Sequence, residues 1–326
     1  MSLYPLKFKP ILKDKIWGGS RLSSKSKKGN DARIGESWEI SGLIGEESVV
    51  SEGYLKDNNI NELIEVYMTE LVGERIYDEF GNEFPLILKL IDAKEDLSIQ
   101  VHPDNEMAIK RHNCFGKTEM WYVCEAQENT SLVWGFEKDT NQEDYIKHLK
   151  NGTLEEILHF EPVRKGDVFY TPAGKVHAIG KGALIAEIHQ SSDITYRIYD
   201  YNRIDKNGEK RDLHTDLALD CIDFHGNKDS KTHPEVEIGK PQNIVTSEFF
   251  TTNLLKFNSK IGRDYYALDS FVAYMCTEGS FDILYDEGKV SVKKGESVLI
   301  PACLNEIFLN PTSKEVVEIL EVYIEK

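Results

Sequence analysis

Apolar positions along this chain recur with two periods. In 84–93 (FPLILKLIDA), 119–126 (EMWYVCEA), 130–136 (TSLVWGF) and 165–174 (KGDVFYTPAG), short runs rich in β-branched and aromatic residues stand between turn formers, which predicts strands. In 60–76, in 142–160 with a break at Asn151-Gly152, and in 212–222, apolar residues return every three or four positions, which predicts helices laid on a β core. A second β-rich block runs from Phe249 to the carboxy terminus with the turn spacing of a sandwich or barrel. The polar stretch 226–243 between the blocks reads as a linker. One pattern occurs twice, in GDVFYTPAGKVH (166–177) and GESVLIPACLNE (295–306): glycine, five residues, proline, one residue, a small residue, two residues, a polar residue.

Strand alternation gives these segments chemistry. In DLSIQVHPD, side chains two apart share a face, so Ser98, Gln100 and His102 point the same way; in GKTEMW, Lys117 and Glu119 do so. His177 follows a Pro-x-Gly turn. Two imidazoles and one carboxylate suit zinc and leave room for an amide oxygen, water or substrate.

Composition narrows the partners. A chain of 326 residues with 40% apolar and 29% charged residues is long enough for two globular domains, and no run reaches the length of a membrane span. The lysine-bearing amino terminus lacks the apolar core of a secretory signal, so a cytoplasmic location is expected, away from membranes. Five scattered cysteines without a CxxC pair read as reduced thiols. A net charge of −17 with no basic run argues against nucleic acid as a partner. It also means that a phosphorylated ligand needs a pocket made locally positive.

Gly166, Pro172, Gly174 and His177 spell G-x5-P-x-G-x2-H, which is similar to the second signature of the cupin superfamily. The first signature stands here as Gln100-Val-His102, with Glu119 delayed by an inserted helical segment. Glutamine in that place, together with the insertion, resembles the type I phosphomannose isomerases. The likeness extends over 5–225 through PILKDKIWGG, IGESWEIS, LSIQVHPD, GKTEMWYV, DVFYTPAGKVHAIG and EIHQSSDITYRIYDYNR.

The resemblance implies a mainly β fold of two cupin (jelly-roll) β-barrels with helical insertions in the N-terminal part. Residues 1–238 would form the catalytic, metal-binding cupin. Residues 239–326 would form a degenerate, metal-free one, since Glu306 stands where the histidine belongs and Cys303 where the glycine does. It further implies one Zn2+ per chain on His102, Glu119 and His177, with Gln100 either a weaker fourth ligand or an amide supporting His102. The implied reaction interconverts mannose 6-phosphate and fructose 6-phosphate through an enediolate. Arg197 matches the catalytic arginine, and Glu187 and Asp193 match pocket acids. The proton acceptor stays open among Glu187, Asp193, Lys117 and a zinc-bound water.

Lys117, Ser98 and Arg203 are the phosphate candidates, although Arg203 has a salt bridge to Asp200 or Asp205 as its alternative. Trp17 belongs either beside the sugar or in the core. If the chain stays extended from Glu187 to Arg197, their side chains share one face with Asp193. The competing functional class is a zinc-dependent sugar-phosphate sensor without turnover; an iron oxygenase fits the donor set less well.

Overall fold

The structure is a computed structural model that describes residues 2–25, 33–205, 208–227, 231–286 and 288–325. The chain divides into two compact units that are not contiguous in sequence. A terminal unit comprises Met1–Ile11, Trp38–Lys89 and Pro234–Lys326, and a central unit comprises Leu12–Ser37 and Leu90–His233. This division differs from the single cut after residue 238 that the composition of the linker suggests. Within that stretch, 228–230 lie outside the described residues, and 241–246 already form a strand.

In the central unit, five antiparallel strands lie in the order Tyr196–Tyr199, Ile99–Val101, His177–Ala178, Ser131–Phe136 and Leu158–Pro162. The unit's strands Val168–Thr171, Glu119–Glu125 and Leu184–Gln190 are successive members of a six-stranded sheet that continues through Leu86–Asp92, Ile34–Ser41 and Ile11–Gly19. Between the two sheets lie Trp17, Trp121, Leu132, Trp134, Phe169 and Ile185. The other face of the five-stranded sheet buries Ile99, Val101 and Ile198 against Tyr145 and Leu154. Tyr145 belongs to the helix Gln142–Asn151, which starts where Asn141 accepts from the Asp144 N–H at 2.9 Å and stops at left-handed Gly152.

The terminal unit repeats the plan. A seven-stranded sheet, ordered Pro241–Thr246, Thr251–Phe257, Val317–Tyr323, Val272–Glu278, Ser297–Ile300, Leu6–Lys9 and Val49–Val50, faces a four-stranded one of Ile261–Asp264, Glu306–Pro311, Ser280–Tyr285 and Gly288–Lys293. Phe257, Val272, Tyr274, Phe281, Ile307 and Ile319 fill the space between them. Both units are therefore two-sheet sandwiches rather than closed barrels.

The sequence repeat is a structural one. Gly166 N–H donates to Val123 O at 2.9 Å, as Gly295 N–H does to Cys276 O at 2.8 Å, and Lys175 N–H closes on Pro172 O as Leu304 N–H does on Pro301 O. By this equivalence Val272, deep in the apolar cluster, takes the place of Glu119, and exposed Glu306 that of His177. The terminal sandwich has neither imidazole nor carboxylate inside at those two places.

Three helical expectations change. The 60–76 helix is three pieces, Ile60–Tyr67, Thr69–Val72 and Glu74–Phe80, interrupted at Met68 (φ 47°) and Gly73 (φ 98°). Of 142–160, the last part is a 3-10 turn, Leu154–Ile157, followed by the strand Leu158–Pro162. Only Thr215–Leu219 of 212–222 is helical. Among the described residues no helix is long and apolar enough to cross a membrane. All five cysteines are free thiols.

Candidate metal centre

Two rows of cross-strand neighbours build the site. In the five-stranded sheet Arg197, Gln100, His177 and Trp134 stand opposite one another in successive strands, so their side chains share one face. In the six-stranded sheet Thr171, Glu119 and His189 form the corresponding row. The face that carries Trp134 packs against the face that carries Trp121, which brings His177 to Glu119.

The insertion before Glu119 is a closed loop. Asp104 caps the helix Asn105–His112 by accepting from the Met107 N–H at 2.9 Å, and the helix ends at left-handed Asn113. The chain then returns until Lys117 N–H reaches Pro103 O at 3.0 Å. Gly116 lies so close that a Cβ there would stand 2.5 Å from Asn105 N. The motif after Glu187 latches this loop: Ser192 Oγ donates to Phe115 O at 2.7 Å, and Gln190 Oε1 accepts from Thr118 N–H at 2.9 Å. His102, Lys117 and Glu119 thus become neighbours although the helix separates them in sequence.

The ligand atoms of His102, Glu119 and His177 all lie within 4.8 Å of one another. His177 Nε2 is 3.2 Å from Glu119 Oε1, and His102 Nε2 is 3.6 Å from Glu119 Oε2. The other ring nitrogens are tied to backbone carbonyls, His102 Nδ1 to Ile194 O and His177 Nδ1 to Lys175 O, each at 2.8 Å. Those bonds require protonated Nδ1 and leave the Nε2 lone pairs directed inward. Burial holds His102 well below the usual histidine value and His177 down to about 3, so both rings are neutral at neutral pH. His102 Nε2 is fully enclosed and has no hydrogen-bond partner. A buried lone pair of this kind fits a cation better than solvent. The donor set could hold a divalent metal.

Around it stand the other expected residues. The Gln100 amide lies 3.4 Å from His177 Nε2, flanking His177 rather than backing His102; half a turn of the amide presents its oxygen to the same place. Lys117 Nζ is 3.6 Å from Glu119 Oε2. Burial opposes its charge, but the carboxylates of Glu119, Glu187 and Asp193 outweigh burial and raise its pKa. Glu187 is buried, accepts from Trp121 Nε1–H at 3.0 Å and has His189 Nε2 at 3.6 Å. Ser98 is buried immediately before the strand Ile99–Val101. Asp193 is exposed.

One expectation needs correction. The chain does not stay extended from Glu187 to Arg197: Leu184–Gln190 belongs to one sheet and Tyr196–Tyr199 to the other, with 191–195 crossing between them. Trp17 is packed in the apolar cluster with Ile91, Leu97 and Trp121, which is its core alternative. Arg203 adopts its ion-pair alternative, donating from Nε to Asp200 Oδ1 at 3.2 Å and from Nη1 to Asp96 O. Arg211 shares that aspartate, donating from Nε to Oδ2 at 2.8 Å. It lies in GEKRDLH, where no local motif marks it.

Comparison with known proteins places this geometry. Residues 5–129 match the family model described as phosphomannose isomerase type I, catalytic domain, a stretch that includes Gln100, His102, Lys117 and Glu119. Mannose-6-phosphate isomerase ManA of Bacillus subtilis is 34% identical over 312 residues, 95% of this chain and 96% of that one. The chain belongs to the type I phosphomannose isomerase family. Mannose-6-phosphate isomerase of Streptococcus mutans is 33% identical, covering 91% and 92% of the two chains. The crystal structure of the mannose 6-phosphate isomerase from Bacillus subtilis superposes with a TM-score of 0.83 at 29% identity over 98% of this chain and 99% of that one. Membership of the family accounts for the shared two-sandwich, mainly β architecture.

Proposed function

We propose that this chain is a metal-dependent aldose-ketose isomerase that interconverts mannose 6-phosphate and fructose 6-phosphate, with zinc as its metal in the central unit alone. The observation that carries the reading is the buried set of His102, Glu119 and His177 with an ammonium and a carboxylate beside it, in a member of this family. Zinc on these three residues, with the Gln100 oxygen as a fourth donor, would serve as a Lewis acid toward the sugar oxygens at C1 and C2.

The remaining chemistry falls to side chains. Isomerisation moves a proton between C2 and C1 and passes through an enediolate, so it needs a base and stabilised oxyanions. Glu187 is our base: Trp121 Nε1–H fixes one of its oxygens, and the side chain is screened from bulk water. Lys117, buried with its Nζ 3.6 Å from Glu119 Oε2, is suited to developing negative charge or to phosphate. Arg197, opposite Gln100 in the ladder, is the second cation. Its Nη1 is held by Asp212 O at 2.8 Å, which orients the guanidinium. Arg203 and Ser98 complete the phosphate set, and Asp193 is the reserve acid at the exposed edge.

A coupled assay on metal-stripped and zinc-reloaded protein tests this. Zinc-dependent conversion of either sugar phosphate is expected. Binding of mannose 6-phosphate without turnover, in a mixture where a known isomerase works, would overturn the reading in favour of a sensor.

A further inference from the structure

Asp200 follows the strand that carries Arg197 and is 5% exposed. Two guanidinium groups close on it. Arg203 donates from Nε and Nη2 to Oδ1; Arg211 donates from Nη2 to Oδ1 and from Nε to Oδ2, a two-pronged grip on both oxygens. The turn between Asp200 and Arg203 is closed by Arg203 N–H donating to Asp200 O at 3.0 Å, and both central residues, Tyr201 and Asn202, are left-handed at φ 53°. A turn with two positive φ angles normally uses glycine or asparagine, so tyrosine here is held by its surroundings. The Tyr201 ring lies under the Arg203 guanidinium at 5.3 Å.

One carboxylate cannot neutralise two guanidinium groups, so this pair keeps one positive charge. Arg197 adds another. Burial and then Arg211 push its pKa down, and Asp200, Arg203 and Asp212 are further charged neighbours. Arg197 Nε is buried without a hydrogen-bond partner. Three arginines with Asp200 and Asp212 leave one positive charge together in a chain of net charge −17, an excess that suits an anion.

We infer that Arg211 is a positioning residue: through the shared Asp200 carboxylate it fixes Arg203 beside Arg197, so that the two present an ordered cationic corner to the phosphoryl group of the substrate. The inference rests on the proposal that Arg197 and Arg203 face a sugar phosphate. Arg211 itself does not touch the ligand.

Competitive inhibition by inorganic phosphate is the direct readout, measured on zinc-loaded protein together with KM and kcat for mannose 6-phosphate. In R211Q the inhibition constant and KM both rise by about tenfold, the scale of one charge-assisted hydrogen bond, while kcat falls by less. R211K keeps the charge but loses the planar fork, and it recovers only part of the phosphate affinity. Zinc content and Tm stay near the parent values. If inorganic phosphate does not compete in the parent enzyme, the phosphate assignment of this corner fails. If it competes equally well in parent and R211Q, or if R211Q changes only Tm and kcat, the positioning role of Arg211 is overturned. Should R211Q not fold, the same two constants are read on R211K, and unchanged values refute the inference.

Discussion

Burial decides the state of the two imidazoles. His102 and His177 are 1% exposed, and their folded values lie below the unfolded value of about 6.5, with His177 at about 3. The unfolded chain therefore binds more protons than the folded one in that interval. Metal-free protein should keep its stability above pH 6.5 and lose it as pH falls toward 3, at up to about 1.4 kcal/mol per pH unit for each histidine. Denaturation of stripped protein at pH 7, 6 and 5, alongside H177Q, reads this. The variant should show the shallower decline, and equal slopes would refute the burial argument. Arg197 is tested by R197A, which should lower kcat by about 100-fold to 1,000-fold with zinc content unchanged. At this scale strand alternation made the approach of Gln100 and His102 to His177 legible, because the strand Ile99–Val101 carries Gln100 and leads into His102. The ion pair of Arg203 was open in sequence, and the contact of Arg211 with Asp200 was invisible, since it depends on a left-handed turn that no local pattern announces.

The loop from Pro103 to Lys117 is the element on which the centre depends. Its two ends are joined by Lys117 N–H donating to Pro103 O, and Gly116 is pressed against the start of the helix, with Asp104 C and Asn105 N each 2.5 Å from any added Cβ. G116A should push the ends apart, cost about 1–3 kcal/mol of stability and weaken zinc retention. Elemental analysis and thermal melts measure both, and a variant with parental metal content and Tm would show that the loop yields freely. Periodicity predicted the existence of several elements and misjudged continuity. The broken helix at Gly73 illustrates the reason: Asp269 accepts from the N–H groups of Glu74 and Arg75 at 2.7 and 3.0 Å and starts a new helix there. That partner is 195 residues away. The crossing at 191–195 likewise has a distant anchor, Ser192 Oγ donating to Phe115 O.

Within the terminal unit the two ends of the chain form one sheet. Leu6 pairs with Leu299 and Lys7 with Val298, and the backbone of Leu71 accepts from Ala302 N–H at 3.0 Å. Truncation after residue 238 would strip this cover from Leu6, Ile60, Ile64, Leu71 and Val72, all buried in the intact protein. The fragment should aggregate, because a contiguous apolar surface of that extent is not tolerated in water. A monodisperse, active fragment in size-exclusion chromatography would disprove this. Sequence repeat and resemblance disclosed both sandwiches. They did not disclose that the first strand of the chain belongs to the second sandwich, because pairing over that separation leaves no periodic trace.

The pairing of Leu6 with Leu299 also sets an order of events during synthesis. At about 5–20 residues per second, the amino-terminal strand waits roughly fifteen to sixty seconds on the ribosome before its partner exists. His102, Glu119 and His177 all belong to the central unit, whose sequence is complete at His233. The nascent chain therefore holds its whole cation-binding set before the strands Thr251–Phe257, Val272–Glu278 and Ser297–Ile300 have emerged.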